Sequence, residues 1–168
     1  LIMITIFEGP DHSGKDTLIE KMMKNRECIY FYNSTYPSQA HAMKAYRSQL
    51  NIVKDIITHT FGDLSIIFNR AHISSKIYGE IIRDEKVIDT EYYAIEQQFL
   101  ELNAQVIRCL PPKEIVLAGW EGRLDEEYVK DTEQMSKVYD YYAQDFDSTT
   151  DLPYITHDFT KELEYANC

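Results

Sequence analysis

Cysteine is scarce and scattered in this chain. Cys28, Cys109 and Cys168 are isolated, odd in number and form no C-x-x-C pair. That argues against a disulfide framework and against a zinc knuckle. A reducing, cytoplasmic setting is the simplest expectation. No apolar run approaches the ~18 residues that a membrane span needs, so no membrane partner is expected. No basic stretch precedes an apolar segment at the start, so no signal peptide is expected either. Bases are also in short supply: 17 Lys and Arg stand against 28 Asp and Glu, a formal net charge of −11. Such a surface repels phosphate and is a poor non-specific binder of duplex nucleic acid. A small pocket could still hold a phosphate. The deficit is uneven, because residues 121–168 carry 13 acids and only 4 bases. Internal repeats, low-complexity stretches and linkers are missing too. The expectation is one domain over residues 1–168.

What the chain does have is enough length for one real core and an ordinary apolar share of 44%. Its 13 tyrosines suit half-buried packing positions with a polar tip. Apolar, β-rich runs at 2–7, 28–32, 64–68 and 105–110 read as strands, with a short last one at 154–156. Between them, helical spacing predicts helices over 15–24, 39–60, 74–83, 91–102 and 125–146, with a terminal helical turn at 160–165. Residues 147–151 read as a loop. Residues 113–120 fit either a strand or a helix; Pro112 suits the first turn of a helix, so helix is preferred. Strands that are unbroken apolar runs and alternate with helices indicate a parallel sheet covered on both faces. Right-handed crossovers then give a doubly wound α/β domain.

One motif carries most of the chemistry. Gly9-Pro10-Asp11-His12-Ser13-Gly14-Lys15 fits G-x-x-x-x-G-K, directly after a strand and directly before a helix. Such a loop wraps an anion with its backbone N–H groups, aided by the helix N-terminus. Gly9, His12, Ser13, Gly14, Lys15, Asp16 and Thr17 are the candidate nucleotide-binding residues, with Lys15 neutralising the β and γ phosphates. A hydroxyl usually follows that lysine and reaches Mg²⁺; here Asp16 does, then Thr17. Asp16 is expected to bind the metal directly or through water, and Thr17 is a further metal or α-phosphate contact.

Phe7-Glu8-Gly9-x-Asp11-x-x-Gly14-Lys15-x-Thr17 resembles the phosphate loop of thymidylate kinases. Asn69-Arg70-x-x-x-Ser74-x-x-x-Tyr78 is similar to their D-R-x-x-x-S-x-x-x-Y signature, and Pro112-x-Glu114-x-x-Leu117 leading to Arg123 looks like their last crossover helix and lid. The likeness runs through nearly the whole chain and looks most like the small phage-type members. It implies a P-loop NTPase fold with five parallel strands in the order 2-3-1-4-5, and a lid around 119–130. It implies transfer of the ATP γ-phosphoryl group, with Mg²⁺, to a pyrimidine deoxynucleoside monophosphate: dTMP or a modified dUMP analogue. By position, Asp11 would hold the acceptor's 3′-hydroxyl and Arg70 its phosphate. Ser74 and Tyr78 would line the base pocket, and Arg123 would stabilise the transferring group. Tyr36 is either a border of the acceptor pocket or part of a simple turn. Partners would be small nucleotides in a cytoplasm (the host's, for a phage protein), and relatives often form homodimers.

The chain also departs from that pattern. Asn69 replaces the signature Asp, Gly119 stands where a lid-helix Arg is common, and His12 takes a loop position that is Arg or Gly in relatives. The 39–60 helix has no obvious acceptor-binding arginine. A monophosphate acceptor is already a nucleophile, whereas a hydroxyl acceptor gains from a carboxylate base. Deoxynucleoside kinases of similar fold carry such an acid at the end of the second strand, and here that strand ends without one. This favours a monophosphate acceptor, although Asp11 could act as a base. A nucleoside, a hydroxymethylated base in modified DNA, and a binding protein without transfer remain the alternatives. His72 and the acids at 125–127 read as solvated or helix-capping rather than catalytic, and Trp120 as packing under the lid.

Overall fold

The computed structural model describes residues 1–122 and 131–161. Five strands, β1 (Ile2–Glu8), β2 (Cys28–Tyr32), β3 (Leu64–Asn69), β4 (Gln105–Cys109) and β5 (Tyr154–His157), form one parallel sheet in the order β2-β3-β1-β4-β5. Helices α1 (Lys15–Met23), α2 (Gln39–His59), α3 (His72–Ile82), α4 (Asp89–Glu101), α5 (Lys113–Glu121), α6 (Thr132–Gln144) and α7 (Phe146–Thr149) lie between them. The doubly wound topology and strand order match expectation.

Successive strand residues face opposite layers. Ile4, Ile6, Ile66, Phe68 and Val106 join the larger core, and Phe7, Ile67, Ile107 and Cys109 join the smaller one under Ile19 of α1. That is why the strands are continuous apolar runs rather than alternating ones. The larger core is closed by Ala42, Met43, Tyr46, Leu50 and Val53, the apolar stripe of α2. Ser38 caps that helix, its hydroxyl accepting the His41 amide.

One ambiguous element is settled and two readings change. Residues 113–121 are helical, as preferred, with Pro112 as the cap. The helix expected over 125–146 has its described start at Thr132, because Asp131 is extended and its carboxylate accepts the Glu133 and Gln134 amides. A side chain that captures those amides sets a helix start. Residues 146–149, read as mostly loop, form the short α7. Residues 123–130 of the proposed lid and 162–165 of the terminal turn lie outside the described residues. Among the described residues, no helix is long and apolar enough to cross a membrane.

Candidate functional site

The phosphate loop joins β1 to α1. Gly9 has φ +153°, and a Cβ there would come within 2.4 Å of the Cys109 carbonyl oxygen, so the loop presses on the end of β4. Gly14 caps α1 in the left-handed region at φ +80°, and a Cβ there would meet the Phe159 ring. Ser13 Oγ is buried without a hydrogen-bond partner. Lys15 is only 8% exposed. Burial first, then the neighbouring Arg70 charge, pull its pKa down from 10.5 to about 8. A buried ammonium beside a second cation and an unsatisfied hydroxyl suits a polyphosphate ligand.

The two departures in the middle of the motifs touch each other. Asn69 Nδ2 donates to Asp16 Oδ1 at 2.8 Å and to the Tyr30 hydroxyl at 2.8 Å. Pairing of Phe7 with Asn69 across β1 and β3 brings the strand end under the loop. The other two also meet: a Cβ on Gly119 would lie 3.0 Å from the Cβ of His12. A long side chain at 119 would collide with the loop as it stands. Four residues that look like independent deviations are thus two matched pairs.

Arg70 follows β3 with φ 68°, a conformation that β-branched and bulky residues avoid. Asn33 holds it there. The Asn33 amide group donates to the Arg70 carbonyl at 2.8 Å and to Gln49 Oε1 at 3.0 Å. Its oxygen accepts from Gln49 Nε2 at 2.7 Å and from the Tyr36 hydroxyl at 2.5 Å. All four hydrogen-bonding positions of Asn33 are filled. The Arg70 guanidinium donates to Asp11 Oδ1 at 2.7 Å, Ser74 Oγ at 2.9 Å and the Tyr142 hydroxyl at 3.3 Å, and lies 5.0 Å from the centre of the Tyr78 ring. Burial opposes its charge, but the oxygens of Tyr78, Asp11, Tyr142 and Glu8 outweigh burial and raise its pKa. Beneath this group, Glu8 is fully buried and accepts from the Ala71 amide at 2.9 Å, the Tyr142 hydroxyl at 3.1 Å and Ser74 Oγ. It fastens β1 to the start of α3 and to α6.

These residues open onto one cavity of about 330 Å³, within the range of small-molecule sites. Asp11, Lys15, Asp16, Tyr36, Asn69, Arg70, Ser74 and Tyr78 are on its wall. Several are less free than expected: the Ser74 hydroxyl is engaged by Glu8, Arg70 and Tyr142, and the Tyr78 hydroxyl accepts the Asp11 amide at 3.1 Å. Thr17 is exposed and off that wall. Arg123 lies outside the described residues. His72 is a correction: it is fully buried, and its Nε2 sits 2.8 Å from Glu96 Oε2. It also stacks on Phe99, so it ties α3 to α4 rather than meeting water. Trp120 is fully buried in a cluster with Val116 and Met135, as expected of packing.

Arg83, Asn33, Tyr32 and Tyr46 also line the cavity and were not anticipated. A signal existed for Arg83. Ser75, Gly79 and Arg83 repeat at four-residue spacing beside Ser74 and Tyr78, so one stripe of the helix carries through to its end. Arg47 of α2 pairs instead with Glu91 of α4, at 3.6 Å.

No protein-family model matches the chain, and no curated protein does. Solved structures do. The YorR protein of Bacillus subtilis, determined in complex with phosphorylated GDP, is 17% identical over 98% of both chains, with a TM-score of 0.67. Deoxyadenosine kinase from M. mycoides with bound dATP is 18% identical over 93% of this chain and 90% of its own, TM-score 0.63. The same enzyme with dCMP and a flexible dCDP gives 15% identity and 0.54 over the same shares. The chain has the fold of P-loop kinases.

Proposed function

We propose that the protein transfers the γ-phosphoryl group of ATP to a pyrimidine deoxynucleoside monophosphate, dTMP or a modified dUMP analogue. The observation that carries this reading is one cavity with the phosphate-loop Lys15 on its wall beside an arginine that is held in a left-handed turn. Phosphoryl transfer asks a protein mainly for in-line positioning and for cations around the equatorial oxygens. Lys15 would draw in the donor's β and γ phosphates, and Arg70 the acceptor's phosphate. Its Asp11 partner would turn to the acceptor's sugar.

The carboxylates support a monophosphate rather than a hydroxyl acceptor. Among the described residues on the cavity wall they are Asp11 and Asp16, and Asp11 is engaged by Arg70. The end of β2 offers a saturated Asn33 in place of an acid. The second reading, a hydroxyl acceptor with Asp11 as base, draws on Asp11's place in the cavity and on the fold shared with deoxyadenosine kinase. The net charge of −11 counts against a base held in DNA, because the surface repels the polymer's phosphates.

Mg²⁺ fits through Asp16. Among the described residues no three His, Cys, Asp or Glu side chains could hold a metal. Magnesium is commonly bound by one or two carboxylates together with substrate phosphates and water. The Asp16 side chain is 73% exposed at the head of α1 and oriented by Asn69. When bound there, the ion would neutralise charge on the β and γ phosphates.

Coupled ADP release across the deoxynucleoside monophosphates and deoxynucleosides tests the proposal. Turnover with pyrimidine monophosphates is the expected result. Phosphate appearing only on a nucleoside or on modified DNA would select the second reading. ATP binding with no transfer to any millimolar acceptor would leave a nucleotide-binding protein.

A further inference from the structure

Arg70 is gripped on two sides, and the two grips differ. Its Nη2 donates to Asp11 Oδ1 at 2.7 Å, and the Asp11 side chain is 32% exposed on the cavity wall. Its Nη1 donates to Ser74 Oγ at 2.9 Å and to the Tyr142 hydroxyl at 3.3 Å. Ser74 is buried and Tyr142 fully so. An incoming anion can take the place of the partly exposed Asp11, whereas no ligand reaches the Tyr142 hydroxyl.

Glu8 sets the direction of the second grip. Its Oε1 accepts the Ala71 amide at 2.9 Å and the Ser74 amide at 3.3 Å, so that end of the side chain must be an oxygen. Its Oε2 accepts from Ser74 Oγ and, at 3.1 Å, from the Tyr142 hydroxyl. Each hydroxyl has one proton to give. The Ser74 proton goes to Glu8. The Tyr142 proton is shared between Glu8 and Ser74 Oγ, which lies 2.8 Å away. Neither proton points at Arg70, so both oxygens offer lone pairs to a guanidinium that can only donate. Tyr142 is itself pinned: its ring stacks on Phe146, and its carbonyl accepts Arg108 Nη1 at 2.9 Å.

We infer that Glu8 is a positioning residue for Arg70. Acting through the Ser74 and Tyr142 hydroxyls, it holds one amino group of the guanidinium in place before any ligand arrives. The other amino group is left to pass from Asp11 to the acceptor's phosphate. Ser74 is then a relay in that hold rather than a contact to the base, and Tyr142 brings α6 into the site. A long side chain that is already ordered loses little rotamer freedom on binding. The hold on Nη1 thus favours the acceptor and leaves the donor unaffected. This inference rests on the assignment of Arg70 to the acceptor's phosphate.

The test pairs Tyr142→Phe with Glu8→Gln. Tyr142→Phe keeps the buried ring and removes one relay. In Glu8→Gln the Ala71 and Ser74 amides hold the oxygen end, so the new NH2 group faces the hydroxyls and turns their protons toward Arg70. Heteronuclear NMR of the arginine side chains, with Arg70→Lys to identify the signals, reads the hold in the ligand-free protein. Wild-type Arg70 should give separate Nη signals, because its amino groups do not exchange places. The signals should merge in Glu8→Gln and exchange faster in Tyr142→Phe. Calorimetry with dTMP should show affinity lower by about 3- to 10-fold in Tyr142→Phe and by about 10-fold or more in Glu8→Gln. ADP affinity should not move, since Lys15 keeps its place. Should Glu8→Gln fail to fold, Tyr142→Phe carries both readouts. Merged Arg70 signals in wild type would overturn the inference. So would signals and dTMP affinity that neither variant changes, whatever happens to thermal stability. Wild-type protein that shows a fixed Arg70 but binds no pyrimidine monophosphate would instead overturn the function it rests on.

Discussion

The phosphate loop and the proposed acceptor pocket sit side by side on one sheet, yet they are built in opposite ways. The loop is seven consecutive residues between one strand and one helix, shaped by backbone: Gly9 against the Cys109 carbonyl, and Gly14 in the left-handed region. The pocket is side chains from distant places in the chain: Asp11 lent by the loop itself, Asn33 after β2, Tyr46 in α2, and Arg70 and Arg83 at the two ends of α3. A device made of backbone needs a fixed local string, because only certain residues tolerate its dihedral angles. A device made of side chains needs only that the right groups converge. The loop should therefore fail outright when its one essential side chain is lost, and the pocket should fail by degrees.

Loss of Lys15 is the sharpest way to break the comparison. Lys15→Met removes the loop's buried cation while keeping length and apolar bulk. It should lower kcat/KM by about 10³-fold or more, as removal of a main electrostatic contact to a transferring phosphoryl group does. The circular dichroism spectrum should stay native and thermal stability should not fall, since the buried charge costs stability below about pH 8. Activity within tenfold of wild type would refute the site.

Asn33 tests the other half. Asn33→Asp sets a carboxylate oxygen against the Arg70 carbonyl, where an N–H now donates at 2.8 Å. Arg70 should lose its aim, and the acceptor's KM should rise about 10-fold, the effect of one misplaced charge-assisted contact. The donor's KM should not move, because Lys15 and the loop are untouched. A fall in kcat with neither KM changed would mark Asn33 as a residue of the fold alone.

The same contrast explains what the sequence made legible. Strand runs, helix spacing and the loop string are local signals, and they led to the doubly wound sheet. Asp131 was missed because a side-chain cap can set a helix start inside a run whose apolar spacing extends further back. His72 was misread because its burial depends on Glu96, Phe99 and Tyr92, all 20 or more residues away. Arg83 and Asn33 carry no motif; what defines them is what they meet. The departures at Asp16, Asn69, His12 and Gly119 looked like four separate losses, and only contact reveals them as two pairs.

That pairing has a smaller but distinct consequence. Asn69→Asp places a second carboxylate within hydrogen-bond distance of Asp16 and should destabilise the fold. Asp16→Thr combined with Asn69→Asp restores one acid and one hydroxyl and should recover the loss. Because Asp16 is well exposed, the coupling in a double-mutant cycle should be only about 0.5–1 kcal/mol, read from denaturant unfolding. Additive effects would mean that the two positions changed independently.

The smallest effect is a single proton. Lys15 titrates near 8 in the ligand-free protein, against 10.5 in an unfolded chain, because burial and Arg70 disfavour its charge. The native state thus holds fewer protons than the unfolded state between those values. This group's cost to stability is full below about pH 8 and is relieved as pH rises toward 10.5. A polyphosphate set against Lys15 favours the charged form and drives its pKa back up. At about pH 9, where nucleotide phosphates are already ionised, ADP binding should take up about one proton, and near pH 6 Lys15 should take up none. Calorimetry in buffers of different ionisation enthalpy measures that uptake directly. Lys15→Met should abolish it at pH 9, whereas the pocket variant Asn33→Asp should leave it intact. Uptake that survives Lys15→Met would place the titrating group elsewhere and would separate the buried lysine from the phosphates it is proposed to hold.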